Sequence, residues 1–222
     1  MSVEAVVFDL DGVIVESEQL WNRAKRELVL AQGGTWPDDA ERTMMGMSSP
    51  EWSAYLHGLG LPIAPEEINR RVVERMLALY EEDLPLLPGA VDAVRRLAER
   101  WPLGLATSSN RPVIEVVLRE AGLDDCFKAV VSSEEVERGK PAPDVYLAVS
   151  RDLGARASAC AAIEDSSNGI RAAHAADMTV IAVPNREYPP APSALAMAHL
   201  ELRSLEMLTV QSVEQAAAYK AG

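Results

Sequence analysis

Two spacings of hydrophobic residues divide the chain. Short apolar runs at 5–8 (AVVF), 103–107 (LGLAT), 129–133 (AVVSS), 160–165 (CAAIED) and 179–183 (TVIAV) have the length of strands, and little in them marks a wet face. Between them, apolar residues recur every three or four positions over about 90–100, 111–121, 143–152 and 167–176, which predicts helices alternating with the strands. A last helix is expected at about 204–218.

From about 17 to 84 the strand pattern is absent. SEQLWNRAKRELVLAQ, SPEWSAYLHGL and PEEINRRVVERMLALYEE are helical in period, and each begins near serine or proline, which suit a helix start. Strands alternating with amphipathic helices build a parallel α/β sheet with right-handed crossovers. The chain reads as a doubly wound core made of residues 1–14 and 89–222, with a helical insertion over 15–88. The proline-rich stretch at 185–194 (NREYPPAPSA) reads as a surface loop.

In open α/β sheets, ligands bind beyond the C-terminal ends of the strands. Polar residues collect there in four places. The first strand runs into Asp9, Leu10, Asp11 and Gly12. Carboxylates this close repel each other unless a cation or a proton separates them, and glycine permits a sharp departure of the chain. The second place is Thr107, Ser108, Ser109 and Asn110, just before Pro112. That is a helix start whose free N–H groups suit phosphate, although capping alone also accounts for it. The third is GKPAPD, where Lys140 lies between Gly139 and Pro141. It is either a solvated charge or a framed cation able to neutralise an anionic site. The fourth is Glu164 and Asp165, followed by Ser166 and Ser167. Acids at a helix N-terminus are favourable in themselves, and they also suit a hard cation such as Mg²⁺.

Charge narrows the range of partners. With 34 acidic against 21 basic residues and a formal charge of −13, nucleic acid and anionic membranes are not expected partners. An anionic substrate then needs a local device to hold it, and a metal ion is one. Cys126 and Cys160 form neither a disulfide framework nor a zinc spacing. The N-terminus reaches its acidic motif by Asp9 without the basic and apolar segments of a signal peptide, and no apolar run approaches the roughly 18 residues of a membrane span. A cytoplasmic monomer acting on a small molecule is expected. His57, His174 and His199 show no metal spacing, and Arg111 is as well placed for solvent as for substrate.

The order DLDGV, TSSN, GKPAPD, IEDSSNG resembles the four motifs of the haloacid dehalogenase-like hydrolase superfamily, and the insertion resembles its helical cap. DGVIVESEQLW and GKPAPDVY look most like the β-phosphoglucomutase-like phosphatases. The resemblance implies an Mg²⁺-dependent phosphatase for a small phosphate monoester, such as a sugar, polyol or similar metabolite phosphate. It makes Asp9 the nucleophile that forms an aspartyl-phosphate. It makes Asp11 the acid that protonates the leaving alcohol, and then the base that activates water. Thr107 and the backbone N–H of Ser108 would hold the phosphoryl group, with Ser109 and Asn110 in the same loop. Lys140 would pair with that group and with Asp9. Asp9, Asp165 and the backbone carbonyl of Asp11 would hold Mg²⁺, with Glu164 as a further ligand.

Other activities of the same apparatus fit less well. A phosphomutase of the β-phosphoglucomutase type carries a cap arginine in a GxSR stretch, where this chain has GMSS (46–49), and a histidine where it has Trp21. A dehalogenase is not expected to keep an acid at the position of Asp11. The cap lysine of a phosphonatase has only Lys25 as a counterpart in the first part of the insertion. A signalling receiver domain, or a silent homologue acting as a binding protein, leaves either the insertion or the filled catalytic positions unexplained.

Within the insertion, Glu16, Ser17 and Glu18 lie near the hinge, while Trp21, Met44, Met45, Met47 and Trp52 either line the site or fill the cap core. A lining made by MMGMSS offers hydroxyls and apolar surface without fixed positive charge, which suits a monophosphate with a neutral body.

Overall fold

A computed structural model describes residues 2–44 and 47–221. Six strands form one parallel sheet: β1 (Ala5–Phe8), β2 (Leu103–Thr107), β3 (Phe127–Ser132), β4 (Cys160–Glu164), β5 (Thr179–Ala182) and β6 (Leu200–Glu201). Their order is β3-β2-β1-β4-β5-β6. The chain winds outward from β1 in one direction to β3 and in the other to β6. The order reverses at β1, so the crevice beyond β1, β2 and β4 is where such sheets bind ligands.

Ten helices are described: α1 (Glu18–Ala31), α2 (Ala40–Met44), α3 (Ser49–Gly58), α4 (Pro65–Glu82), α5 (Ala90–Ala98), α6 (Arg111–Glu120), α7 (Asp144–Asp152), α8 (Ser167–Ala175), α9 (Pro192–Leu195) and α10 (Val210–Ala221). Alternation along β1 decides which helices cover which face. Val6 and Phe8 join the cluster with Val94 and Leu97 of α5, Val113 and Val117 of α6, and Val213 of α10. Ala5 and Val7 point to the other side, against Val145 and Val149 of α7, Ile170 of α8 and Ala194 of α9. The sheet is therefore buried on both faces, as its continuous apolar runs require.

The first four helices fall between β1 and α5. There α1 and α3 pack on α4, and α4 packs on α6. Trp21, Trp52, Leu56, Met76 and Tyr80 belong to the same apolar cluster as Phe8 and Leu105. The two chain crossings into this region run side by side. Val15 bridges Leu86 in antiparallel fashion, Glu16 N–H donates to the Pro85 carbonyl at 2.9 Å, and Leu87 N–H donates to the Ile14 carbonyl at 2.9 Å.

The alternation of strand and helix matches the expected α/β sheet, with a few local differences. The final helix begins at Val210 rather than about 204, because a 3₁₀ turn at Leu205–Met207 precedes it. The proline-rich loop closes in α9, where Pro192 supplies a helix start. The two-residue β6 and the five-residue α2 are too short to carry a period.

Candidate active site

The residues after β1 form a tight turn. Gly12 has φ +76°, its N–H donates to the Val15 carbonyl at 2.7 Å, and a Cβ there would lie 1.9 Å from Asp165 Oδ2. Only glycine lets the first and fourth motifs approach this closely. The turn also separates the two aspartates into different surroundings.

Asp9 turns toward β4. Its Oδ1 accepts the Leu10 N–H at 2.7 Å, and its Oδ2 lies 3.0 Å from Lys140 Nζ. Lys140 also donates to Glu164 Oε1 at 2.7 Å. Asp9, Glu164 and Asp165 place one carboxylate oxygen each within 4.8 Å of one another. All three are buried, and Lys140 Nζ alone ion-pairs with Asp9 and with Glu164 among the described residues. Burial first, then the neighbouring Glu164 and Asp11 carboxylates, push Asp9 up to about 8 against the pull of Lys140. Burial first, then the Glu164 and Asp9 carboxylates, raise Asp165 well above its ordinary value. Burial opposes the charge on Lys140, but Asp9 and Glu164 outweigh it and hold the ammonium above its ordinary value.

Such a cluster is short of positive charge. Asp165 Oδ1 is buried and has no hydrogen-bond partner among the described residues, so it is a free oxygen donor inside an all-oxygen set. These residues fit a hard divalent cation of the Mg²⁺ kind. Glu164 is the most heavily engaged of the three. Its Oε1 also accepts from Tyr146 at 2.6 Å, and its Oε2 accepts from Asp165 N–H at 3.2 Å and from Ser166 N–H and Oγ at 3.3 and 3.1 Å.

Asp11 turns the other way. Oδ2 accepts from Ser109 Oγ at 2.6 Å and from Thr107 Oγ1 at 3.3 Å; Oδ1 accepts from Ser17 Oγ and from Trp21 Nε1, the latter at 3.3 Å. The β2 end and the start of α1 thus hold it jointly.

A cavity of about 410 Å³ joins these groups. Asp9, Asp11, Ser108, Ser109, Lys140 and Asp165 line it from the sheet side. Of the expected phosphate loop, Thr107 is fully buried beneath it. Asn110 points elsewhere: its Nδ2 donates to Glu134 Oε1 at 2.6 Å and meets Asn69 Oδ1 at 3.5 Å, while its Oδ1 accepts from Ser49 Oγ at 3.4 Å. Its side chain ties α6 to α3 and α4. Arg111 pairs with Glu135 at 2.5 Å and donates to the Val130 carbonyl at 2.9 Å, away from the site.

From the insertion, Trp21, Met44, Met47 and Trp52 line the cavity, and Trp21, Met44 and Trp52 belong to the buried apolar cluster as well, so they take both of the roles considered; Met45 and Gly46 fall outside the described residues. The MMGMSS stretch itself brings no fixed positive charge, but Lys25 and Arg42, from outside it, line that end of the cavity too. Lys25 follows Trp21 by four positions, the spacing that puts both on one helix face, and that signal was legible in the sequence. Tyr146, which holds Glu164, closes the GKPAPDVY stretch that carries the resemblance, but it sits within an apolar helix face and nothing in the spacing marked its hydroxyl as a site group.

A family profile described as haloacid dehalogenase-like hydrolase matches residues 3–177. Hexitol phosphatase B of Escherichia coli strain K12 is 36% identical over 216 residues, covering 94% of this chain and 96% of that protein. Fructose-1-phosphate phosphatase YqaB of the same strain is 30% identical, covering 80% of this chain and 95% of that protein. The crystal structure of CbbY from Rhodobacter sphaeroides in complex with phosphate superposes with a TM-score of 0.84 at 28% identity, covering 96% of this chain and 99% of that one.

Proposed function

Since the chain belongs to the haloacid dehalogenase-like hydrolase family, we propose that it is an Mg²⁺-dependent phosphatase for a sugar or polyol phosphate that works through an aspartyl-phosphate. In this reading residues 15–88 are a cap and residues 1–14 with 89–222 are the hydrolase core. The observation that carries it is the division of the two aspartates: Asp9 lies against Lys140 in the carboxylate cluster, and Asp11 is held apart by hydroxyls and an indole.

Asp9 Oδ attacks phosphorus, and the ester bond to the alcohol breaks. Asp11 gives its proton to the departing alkoxide oxygen and is left as a carboxylate. A water then loses a proton to Asp11 and attacks the aspartyl-phosphate, which releases phosphate and restores Asp9. Lys140 offsets charge on the phosphoryl group, where most of the catalytic advantage in this chemistry arises. Glu164 and Tyr146 fix Lys140 in place. Asp9 and Asp165, with Glu164 beside them, would hold Mg²⁺, which offsets charge so that an anionic ester can approach a carboxylate. The hexitol and fructose-1-phosphate phosphatases among its relatives support a polyhydroxylated substrate.

The test is phosphate release from a panel of sugar, polyol and nucleoside monophosphates, with Mg²⁺ and with chelator. Release on a few members, lost with chelator and in Asp9→Asn, is the expected result. Release that survives chelation, or substantial turnover by a folded Asp9→Asn protein, would overturn it. Transfer of phosphate between two positions of a sugar without net release would favour a phosphomutase instead. In this structure Ser49, the position that would bear the mutase arginine, hydrogen-bonds Asn110.

A further inference from the structure

The far end of the cavity holds a charge that the hydrolysis above does not use. Lys25 is 6% exposed, and its Nζ lies 5.1 Å from the centroid of the Trp52 ring and 5.8 Å from that of Trp21. The indoles favour a cation but offer it no hydrogen-bond acceptor. Among the described residues, no carboxylate reaches ion-pair distance of this ammonium; Glu18 and Asp11 act on it only from farther away. Burial accordingly lowers its pKa to about 8. Three N–H donors thus stand at the wall of a cavity, with no hydrogen-bond acceptor for them among the described residues.

Their position relative to the reacting groups is fixed. Trp21 contacts Lys25 with its ring and Asp11 with its Nε1, so one indole spans from the proposed proton donor to the ammonium. A leaving alcohol protonated by Asp11 would have that indole on the way to Lys25.

We infer that Lys25 is a specificity-determining residue, donating hydrogen bonds to an oxygen acceptor on the substrate's alcohol portion, at the end remote from the ester. The indoles of Trp21 and Trp52 flank the carbon chain that carries it. This selects hydroxylated or acid-bearing leaving groups over plain alkyl ones, and it rests on the phosphatase reading above.

The probes are a hexitol phosphate, the matching hexonate phosphate and n-hexyl phosphate, which spans a similar length without acceptors. Binding is read by tryptophan fluorescence in the D9N protein with and without K25M, and kcat/KM in K25M alone. K25M should weaken the preference for an oxygenated ester over n-hexyl phosphate by about ten- to a hundredfold, the range for losing a charged hydrogen bond. A larger loss on the hexitol ester identifies a hydroxyl as the acceptor, and a larger loss on the hexonate ester a carboxylate. K25R, which keeps donors, should restore part of the preference. An unchanged preference in a K25M protein that melts cooperatively overturns the inference, and so does a wild type that binds n-hexyl phosphate as tightly as either oxygenated ester. Failure of the wild type to release phosphate from any ester would sink the phosphatase reading instead, while the binding comparison would still decide the role of Lys25.

Discussion

A lysine buried without an acceptor is a liability to the fold. Lys25 titrates at about 8 in the folded protein against an ordinary 10.5, so between those values the folded state binds fewer protons than the unfolded chain. Stability therefore rises with pH across that window, and the penalty is fully present below pH 8. It is on the order of 3 kcal/mol, from roughly 1.4 kcal/mol per pKa unit. K25M, which keeps the length and removes the charge, is expected to melt several degrees higher than wild type at pH 7, with the gap closing above pH ~10. Thermal melts at both pH values check this; equal melting at pH 7 would mean that the ammonium has a partner in solution. Asp11 makes the contrasting case, since four donors from two elements hold it. As the proposed proton carrier, Asp11→Asn should lose a hundredfold or more on an alkyl phosphate and much less on an aryl phosphate, whose leaving group scarcely needs a proton. Equal losses on the two esters would count against that role.

At the scale of elements, strand ends were the most legible part of the molecule. Asp9, Glu164 and Asp165 follow continuous apolar runs, and a polar residue at such an end has few places to point except the crevice. Asn110 was harder to read, because a helix cap and a tether between helices use the same residue type, and only the packing of α4 on α6 and the approach of Ser49 distinguish them. The same limit hid the role of the Tyr146 hydroxyl, which reaches Glu164 at the end of β4 only once α7 is laid across β2 and β3. The start of α8 shows how tightly an element can be bound to its site. A Cβ on Gly169 would lie 1.8 Å from Glu164 Oε1, the oxygen that accepts from Lys140 and Tyr146. Gly169→Ala is therefore expected to lower stability by about 1–3 kcal/mol through overpacking and to cut phosphate release at least tenfold by displacing Glu164. A variant with unchanged melting and activity would show that Glu164 moves aside freely.

Across the whole molecule, an excess of 13 negative charges surrounds a site proposed to take anions. Attraction of substrate must then be local, supplied by Lys140 and the proposed cation at one end and by Lys25 and Arg42 at the other. The insertion that brings those last two residues shares one apolar cluster with the sheet, yet the chain enters and leaves it through two crossings that pair at Val15 and Leu86. Two paired crossings form a single axis, and rotation about an axis displaces each point in proportion to its distance from it. In a rotation about that axis Ser17, two residues past the crossing, would scarcely travel, and its bond to Asp11 would survive. Ser49, at the head of α3, would sit out on the lever arm, and its bond to Asn110 would be the earlier to break. The proton-carrying aspartate would keep its posture while the doorway for the substrate's body swings wide.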